Sequence, residues 1–245
     1  RPFYEKVRAA FPALGDFFIG QLNEGPADEA RLFAIADAPP PLPGDTDGRL
    51  TAALRGSADT RKSRRRVLRF AEVFADLSDA KGDHTVGHAR RTAENAERLA
   101  NALCLDSGHV EMIRIGALLH DVGLLGVPAR VMTKPDILSV TEMHLMRQHP
   151  ANSEMILQEL PGFEEVAIWI SRHHERPDGK GYPEMLAGDD IPLESRLLAI
   201  ADVFAALTSD RPHRGAMANK DAKVVLLGAA GTQLDPELVR TFCQL

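Results

Sequence analysis

Cysteine is almost missing from this chain: Cys104 and Cys243 are the two among 245 residues. That excludes a disulfide framework and a cysteine-built zinc cluster. It fits a reducing compartment, so a cytoplasmic location is expected. Apolar runs are short. None approaches the ~18 residues a membrane helix needs, and no signal-peptide pattern is visible, so membrane insertion is not expected. An excess of positive charge is missing too: 29 Lys and Arg stand against 35 Asp and Glu, a net charge of −6. A surface built for a polyanion is usually basic, so nucleic acid is not an expected partner. A locally positive pocket for a small phosphorylated ligand stays open. Alternating strand patterns and internal repeats are lacking. The first residue is Arg1 rather than Met, which points to a fragment of a longer protein.

What is present is helical. Hydrophobic residues at 44% and charged residues at 26% are globular values. Residues 1–36 read as weak helical signals, and residues 38–48 hold four Pro and two Gly, a linker. We therefore expect a small N-terminal helical piece with its linker over residues 1–60, of unassigned function, and a second domain over 61–245. From residue 61 the apolar spacing repeats with short breaks: Val67, Phe70, Phe74 and Leu77 on one helix, then helices over 85–103 and 106–121. Residues 124–138 are irregular. A helix starts at Thr141 and is expected to be interrupted at Pro150. A short helix covers 166–171, a Gly- and Pro-rich loop 176–192, and an apolar helix 193–209. Asp235 as N-cap with Pro236 at the first helical position opens the last helix. The expected fold class is all-α. Cys104, Cys243 and Trp169 are expected in the core.

Histidine carries the chemistry. Nine are present, and most of them fall in the second half. His88 lies on the 85–103 helix, His120-Asp121 ends the next, His149 follows, and His173-His174 are adjacent at a helix end. Singly, each has an ordinary structural explanation. Asp202 is harder to dismiss, because it sits within Leu198-Ala199-Ile200-Ala201-Asp202-Val203-Phe204. A carboxylate buried there costs several kcal/mol unless it has a partner or a metal. Five imidazoles and two carboxylates on separate helices match a dinuclear site for Mn, Fe or Zn.

These residues carry a resemblance. His120-Asp121 with Asp202 and His88 resembles the HD superfamily of metal-dependent phosphohydrolases. The string His173-His174-Glu175-Arg176-Pro177-Asp178-Gly179-Lys180-Gly181-Tyr182-Pro183 is similar to the HHExxDGxGYP signature of its HD-GYP branch. Glu142-Met143 before His149-Pro150, and Gly231-Thr232-Gln233-Leu234-Asp235-Pro236, agree as well. The likeness covers roughly residues 80–245 and leaves 1–60 uncovered. It implies an HD-type helical bundle hydrolysing cyclic di-GMP, to linear pGpG or to GMP, through a hydroxide bridging two metals. One metal would take His88, His120, Asp121 and Asp202. The other would share Asp121 and add His149, His173 and His174. His120 and Asp121 are the catalytic pair. Two divalent transition ions are implied, Fe or Mn before Zn, Ni or Co. Arg211 and Arg214 would hold substrate phosphate, as guanidinium forks do. A diguanylate cyclase (GGDEF) domain, met through Gly181-Tyr182-Pro183, and a second copy of the chain are the protein partners it suggests.

Four positions depart from the family pattern. The lysine of HDxGK is Leu124, which cannot hold a phosphate. The glutamate that precedes the first histidine in members with a third metal is His84. That residue shares a helix face with His88, so a third ligand and a solvated helix-start histidine are both open readings. Ala205 and His213 replace an aspartate and a tyrosine. The expectation is therefore a phosphodiesterase whose activity is reduced by Leu124. The alternative is a weak or inactive module that binds metal and cyclic dinucleotide and signals through partner contacts. A lysine at 124 would raise turnover unless that position faces the core.

Overall fold

Beyond Thr60, apolar side chains at 3.6-residue spacing become a series of packed helices in the computed structural model, which describes residues 60–81, 86–158, 160, 162–210 and 215–245. In order these are α1 (Thr60–Lys81), α2 (His88–Ala102), α3 (Ser107–Leu119), a 3-10 turn (Val122–Gly126), α4 (Ala129–Met132), α5 (Val140–Arg147), α6 (His149–Gln158), α7 (Glu164–Ser171), a second 3-10 turn (Gly188–Asp190), α8 (Leu193–Leu207), α9 (Asn219–Ala229) and α10 (Pro236–Cys243). No strand occurs among the described residues; one isolated bridge joins Ala230 and Leu234. The chain is all-α. Of the N-terminal piece and linker expected over residues 1–60, residues 1–59 lie outside the described residues.

Small side chains set the centre of the bundle. Ala89, Ala93, Ala96 and Ala100 recur along one face of α2 and are buried. That alanine row lets α2 pack between α3 and α8, the two helices it contacts most. From α1, Phe74, Leu77, Ala71 and Ala75 close the same core. A second, smaller apolar cluster of Leu124, Val127, Val131 and Leu145 lies under the 3-10 turn, α4 and α5.

Local signals account for most helix ends. Asp106 receives the Gly108 and His109 amides and opens α3. Ser139 and Glu142 form a capping box, so α5 begins one residue before Thr141. Asp235 caps α10 with Pro236 behind it, as expected. The chain breaks at Gln148 rather than at Pro150. Pro150 occupies the first turn of α6, where its missing N–H has no helical acceptor to lose. Gly87 at the N-cap of α2 has no side chain to cap with, and the buried Asp79 of α1 substitutes by accepting the Ala89 amide at 3.3 Å.

Two contacts fix the turn after α3. Gly123 donates its N–H to Ser153 Oγ (2.8 Å), and Ser153 donates to the His120 carbonyl (2.9 Å), tying that turn to α6. From α1, the Lys81 ammonium donates to the Leu124 and Leu125 carbonyls at 3.0 and 2.5 Å. Burial pulls Lys81 down from 10.5 to about 8. Between those values the unfolded chain binds more protons than the folded one, so this group makes stability rise with pH across about pH 8–10.5. The span is on the order of 2–3 kcal/mol. Denaturant midpoints from pH 7.5 to 10 should climb less steeply in Lys81→Met than in wild type; parallel slopes would refute the assignment.

Two expectations need correcting or extending. Cys104 is exposed and has a φ of 56°, in the left-handed region that ends α2's exit turn, so it is not a core residue. Trp169 is buried as expected and stacks on His109 at 5.4 Å. Helix α9 carried no assignment. Its N-cap is Ala218, and Val224, Val225 and Leu227 are exposed, so neither a cap nor a clean apolar stripe marks it in sequence.

Candidate metal centre

Helix ends deliver most of the centre. His88 is the first residue of α2, and His120 and Asp121 follow the last turn of α3. His149 begins α6, and His173 and His174 follow α7. Asp202 alone projects from mid-helix, in α8. The structure brings all seven together. His88 Nε2 lies 3.0 Å from Asp202 Oδ1, and His120 Nε2 lies 4.0 Å from that same oxygen. Asp121 faces two ways: Oδ2 is 3.2 Å from His120 Nε2 and Oδ1 is 3.1 Å from His149 Nε2. The His173 ring centroid is 3.9 Å from that of His174 and 5.2 Å from that of His120. Ligand atoms of His88, His120 and Asp202 fall within 4.8 Å of one another, as do those of His149, His173 and His174. A third such group, His120, Asp121 and His173, joins the two.

The backbone aims the imidazoles. Nδ1 of His120, His149 and His173 each meets the carbonyl three residues back, those of Ala117 (2.7 Å), Met146 (2.8 Å) and Ile170 (2.5 Å). A carbonyl only accepts, so Nδ1 carries a proton and Nε2 is the nitrogen turned to the centre. Those three Nε2 atoms are buried and have no hydrogen-bond partner. A ring nitrogen and a carboxylate oxygen held 3.1–3.2 Å apart, as in His120 and His149 against Asp121, need a proton or a metal cation between them. The donor set therefore fits divalent metal. Nitrogen and carboxylate oxygen ligands suit Fe, Mn or Zn, and the geometry does not choose among them.

Protonation follows the same arrangement. Burial, then the neighbouring histidines, holds His173 well below the ordinary histidine range. Burial and His149 pull His174 down to about 4, so both are neutral ligands at pH 7. Burial alone would raise Asp121 and Asp202. The histidine partners outweigh it, His120 and His149 for Asp121 and His88 for Asp202, and both carboxyls stay ionised. His120 is also drawn down by burial, but Asp121 and Asp202 lift it to about 9. Metal must displace that proton, so uptake at neutral pH releases protons.

The loop after His174 is locked onto the centre. Glu175, 3% exposed, accepts the Glu184 and Leu186 amides at 2.6 and 3.0 Å. A Cβ on Gly181 would sit 2.5 Å from Arg176 N and 2.7 Å from the His174 carbonyl, so only glycine lets the strand of loop pass there. Tyr182, next to Pro183, stacks its ring on His174 at 4.8 Å. The Arg147 guanidinium sits over that ring, 5.4 Å from its centroid. His84, Arg211, His213 and Arg214 lie outside the described residues. Leu124 is 8% exposed and packs with Val127, Val131 and Leu145. Asp79, Ser153 and Arg147 escaped the sequence reading, and Gly123 and Glu175 stood in its motifs without a role. Only Asp79 had a signal for its burial, its position four residues after Ala75 on the buried face of α1.

Comparison with known proteins agrees with this geometry. The HD domain family matches residues 72–238. The chain is 37% identical over 165 residues to 3'3'-cGAMP-specific phosphodiesterase 3 of Vibrio cholerae serotype O1, covering 67% of this chain and 36% of that protein. It is 39% identical over 157 residues to the cyclic di-GMP phosphodiesterase response regulator RpfG of Xanthomonas campestris pv. campestris, covering 63% and 42%. The chain thus spans about two-fifths of the length of these curated relatives. A crystal structure of a cyclic GMP-AMP specific phosphodiesterase of Vibrio cholerae superposes with a TM-score of 0.55 at 21% identity, over 71% of this chain and 48% of that one, which supports the fold. No helix among the described residues is long and apolar enough to cross a membrane. With the His-Asp pair, the His173–Pro183 loop and these relatives in agreement, the chain belongs to the HD domain family, of the HD-GYP type.

Proposed function

We propose that this protein is a metal-dependent phosphodiesterase acting on cyclic di-GMP. The observation that carries it is Asp121 turned between two histidine clusters, each able to hold one ion. His88, His120 and Asp202 would hold one ion and His149, His173 and His174 the other, with Asp121 placed to serve both. Bound there, two divalent ions supply an activated water and neutralise charge on the phosphoryl oxygens. The carboxylates contribute two negative charges against the four positive charges of two such ions, leaving a net attraction for a phosphodiester. Neutral His173 and His174 keep that surplus positive. Arg211 and Arg214 are the proposed substrate-phosphate contacts, and His84 the candidate ligand for a third ion. Exposed Pro183 and Met185 make the loop at Gly181 the proposed contact for a GGDEF domain. Two unpaired cysteines are in keeping with a cytoplasmic setting.

Metal analysis of purified protein, paired with product analysis on cyclic di-GMP, tests this reading. Two ions per chain and release of pGpG or GMP are expected. A fully metallated protein that leaves cyclic di-GMP intact would refute it.

A second reading has one observation behind it: Leu124, packed in its apolar cluster, stands where the family pattern has a lysine and offers no cation. A module that binds the dinucleotide and turns it over slowly would follow. Loss of one charged hydrogen bond to phosphate in the transition state corresponds to roughly 10- to 150-fold in rate. Leu124→Lys places an ammonium into the Val127, Val131 and Leu145 cluster, so its melting temperature should fall. In the folded, fully metallated fraction, a tenfold rise in kcat would show that the missing cation limits the rate. Unchanged kcat would show that it does not.

A further inference from the structure

We propose that Arg147 binds the second, uncleaved phosphodiester of the substrate, an inference that rests on the cyclic dinucleotide reading above. Such a substrate carries two phosphodiester groups. Only one can sit on the metals at a time, and the other brings a negative charge to the mouth of the site. Leu124 gives it nothing to pair with.

Arg147 ends α5, two residues before His149, and is exposed. Its guanidinium lies over the ring of Tyr182, which in turn stacks on His174. One aromatic ring therefore separates it from a proposed metal ligand. Among the described residues, three other cations on the α4–α5 and α7–α8 connections are paired with carboxylates. Arg172 meets Glu184 at 3.1 Å, Arg176 meets Asp178 at 2.6 Å, and Lys134 meets Glu142 at 2.6 Å. Among the described residues Arg147 has no carboxylate partner. Contact with an aromatic ring engages the face of a guanidinium and leaves its in-plane N–H donors free. Those donors form the fork that matches two phosphate oxygens. An arginine held over a ring is also pre-oriented, so less side-chain freedom is lost on binding.

The test uses the full 245-residue chain loaded with metal. Arg147→Ala and Arg147→Lys are compared with wild type on cyclic di-GMP and on bis(p-nitrophenyl) phosphate, which has one phosphodiester and no second. Affinity for cyclic di-GMP is read as KM where it is cleaved and as Kd by calorimetry where it is bound uncut. Arg147→Ala should weaken it roughly 10- to 100-fold, with kcat changed far less. Arg147→Lys should lose less, because the charge remains and the fork does not. The loss in kcat/KM on bis(p-nitrophenyl) phosphate should be at least about tenfold smaller. Affinity within about twofold of wild type would overturn the proposal, and so would equal losses on both substrates with reduced metal content. If wild type hydrolyses bis(p-nitrophenyl) phosphate but neither binds nor cleaves cyclic di-GMP, the dinucleotide reading itself fails and the role of Arg147 falls with it.

Discussion

Asp121→Ala is expected to strip metal from both positions, whereas His149→Ala is expected to strip only one. Asp121 reaches His120 through one oxygen and His149 through the other, so on the proposed reading its loss would remove a ligand from each ion and the charge that would hold them close. His149, apart from its contact with Asp121, meets the cluster with His173 and His174 and not the one with His88 and Asp202. Metal content per chain after gel filtration distinguishes the two variants. Phosphodiester hydrolysis should fall at least about 10³-fold in Asp121→Ala, since several kcal/mol of charge stabilisation leave with the ions. Equal metal losses in the two variants would mean that Asp121 does not bridge.

Gly123→Ala should be the most damaging single methyl in the protein. A Cβ there would lie 2.0 Å from the His149 carbonyl, 2.6 Å from Ser153 N and 2.8 Å from Ser153 Oγ. Two of those three atoms are backbone, so no rotamer change relieves the clash; the 3-10 turn and α6 have to separate. We expect a loss of about 3 kcal/mol or more in denaturant unfolding. Metal affinity should fall as well, because the separation pulls Asp121 away from His149. An unchanged midpoint with full metal content would show that the turn accommodates the methyl without moving α6.

The two variants differ in how readable their targets are. Asp121 stands beside His120 at the end of an apolar helix, and its chemistry is visible in the residue types alone. Gly123 follows two residues later and looks like an ordinary turn glycine. Its necessity comes from α6, which begins 26 positions further on. Ser153 is similar: a serine in a helix interior has no sequence mark, yet it is fully buried and binds the turn on both sides. Leu124 shows the converse. Alignment with the family motif identifies a missing lysine, but only packing against Val127, Val131 and Leu145 reveals an apolar site that would resist one.

Sequence by itself determined the helical class, most helix positions, and the seven residues of the candidate centre. Apolar period and capping are local, and imidazole and carboxylate chemistry belongs to the side chain wherever it stands. Tertiary structure decided which of those groups face one another and in what protonation state. The Nδ1 contacts to backbone carbonyls, the two-way aim of Asp121 and the placing of Arg147 over Tyr182 depend on segments far apart in the chain meeting in space. Burial and charge, which push His174 to about 4 and His120 to about 9, arise only once those segments have met.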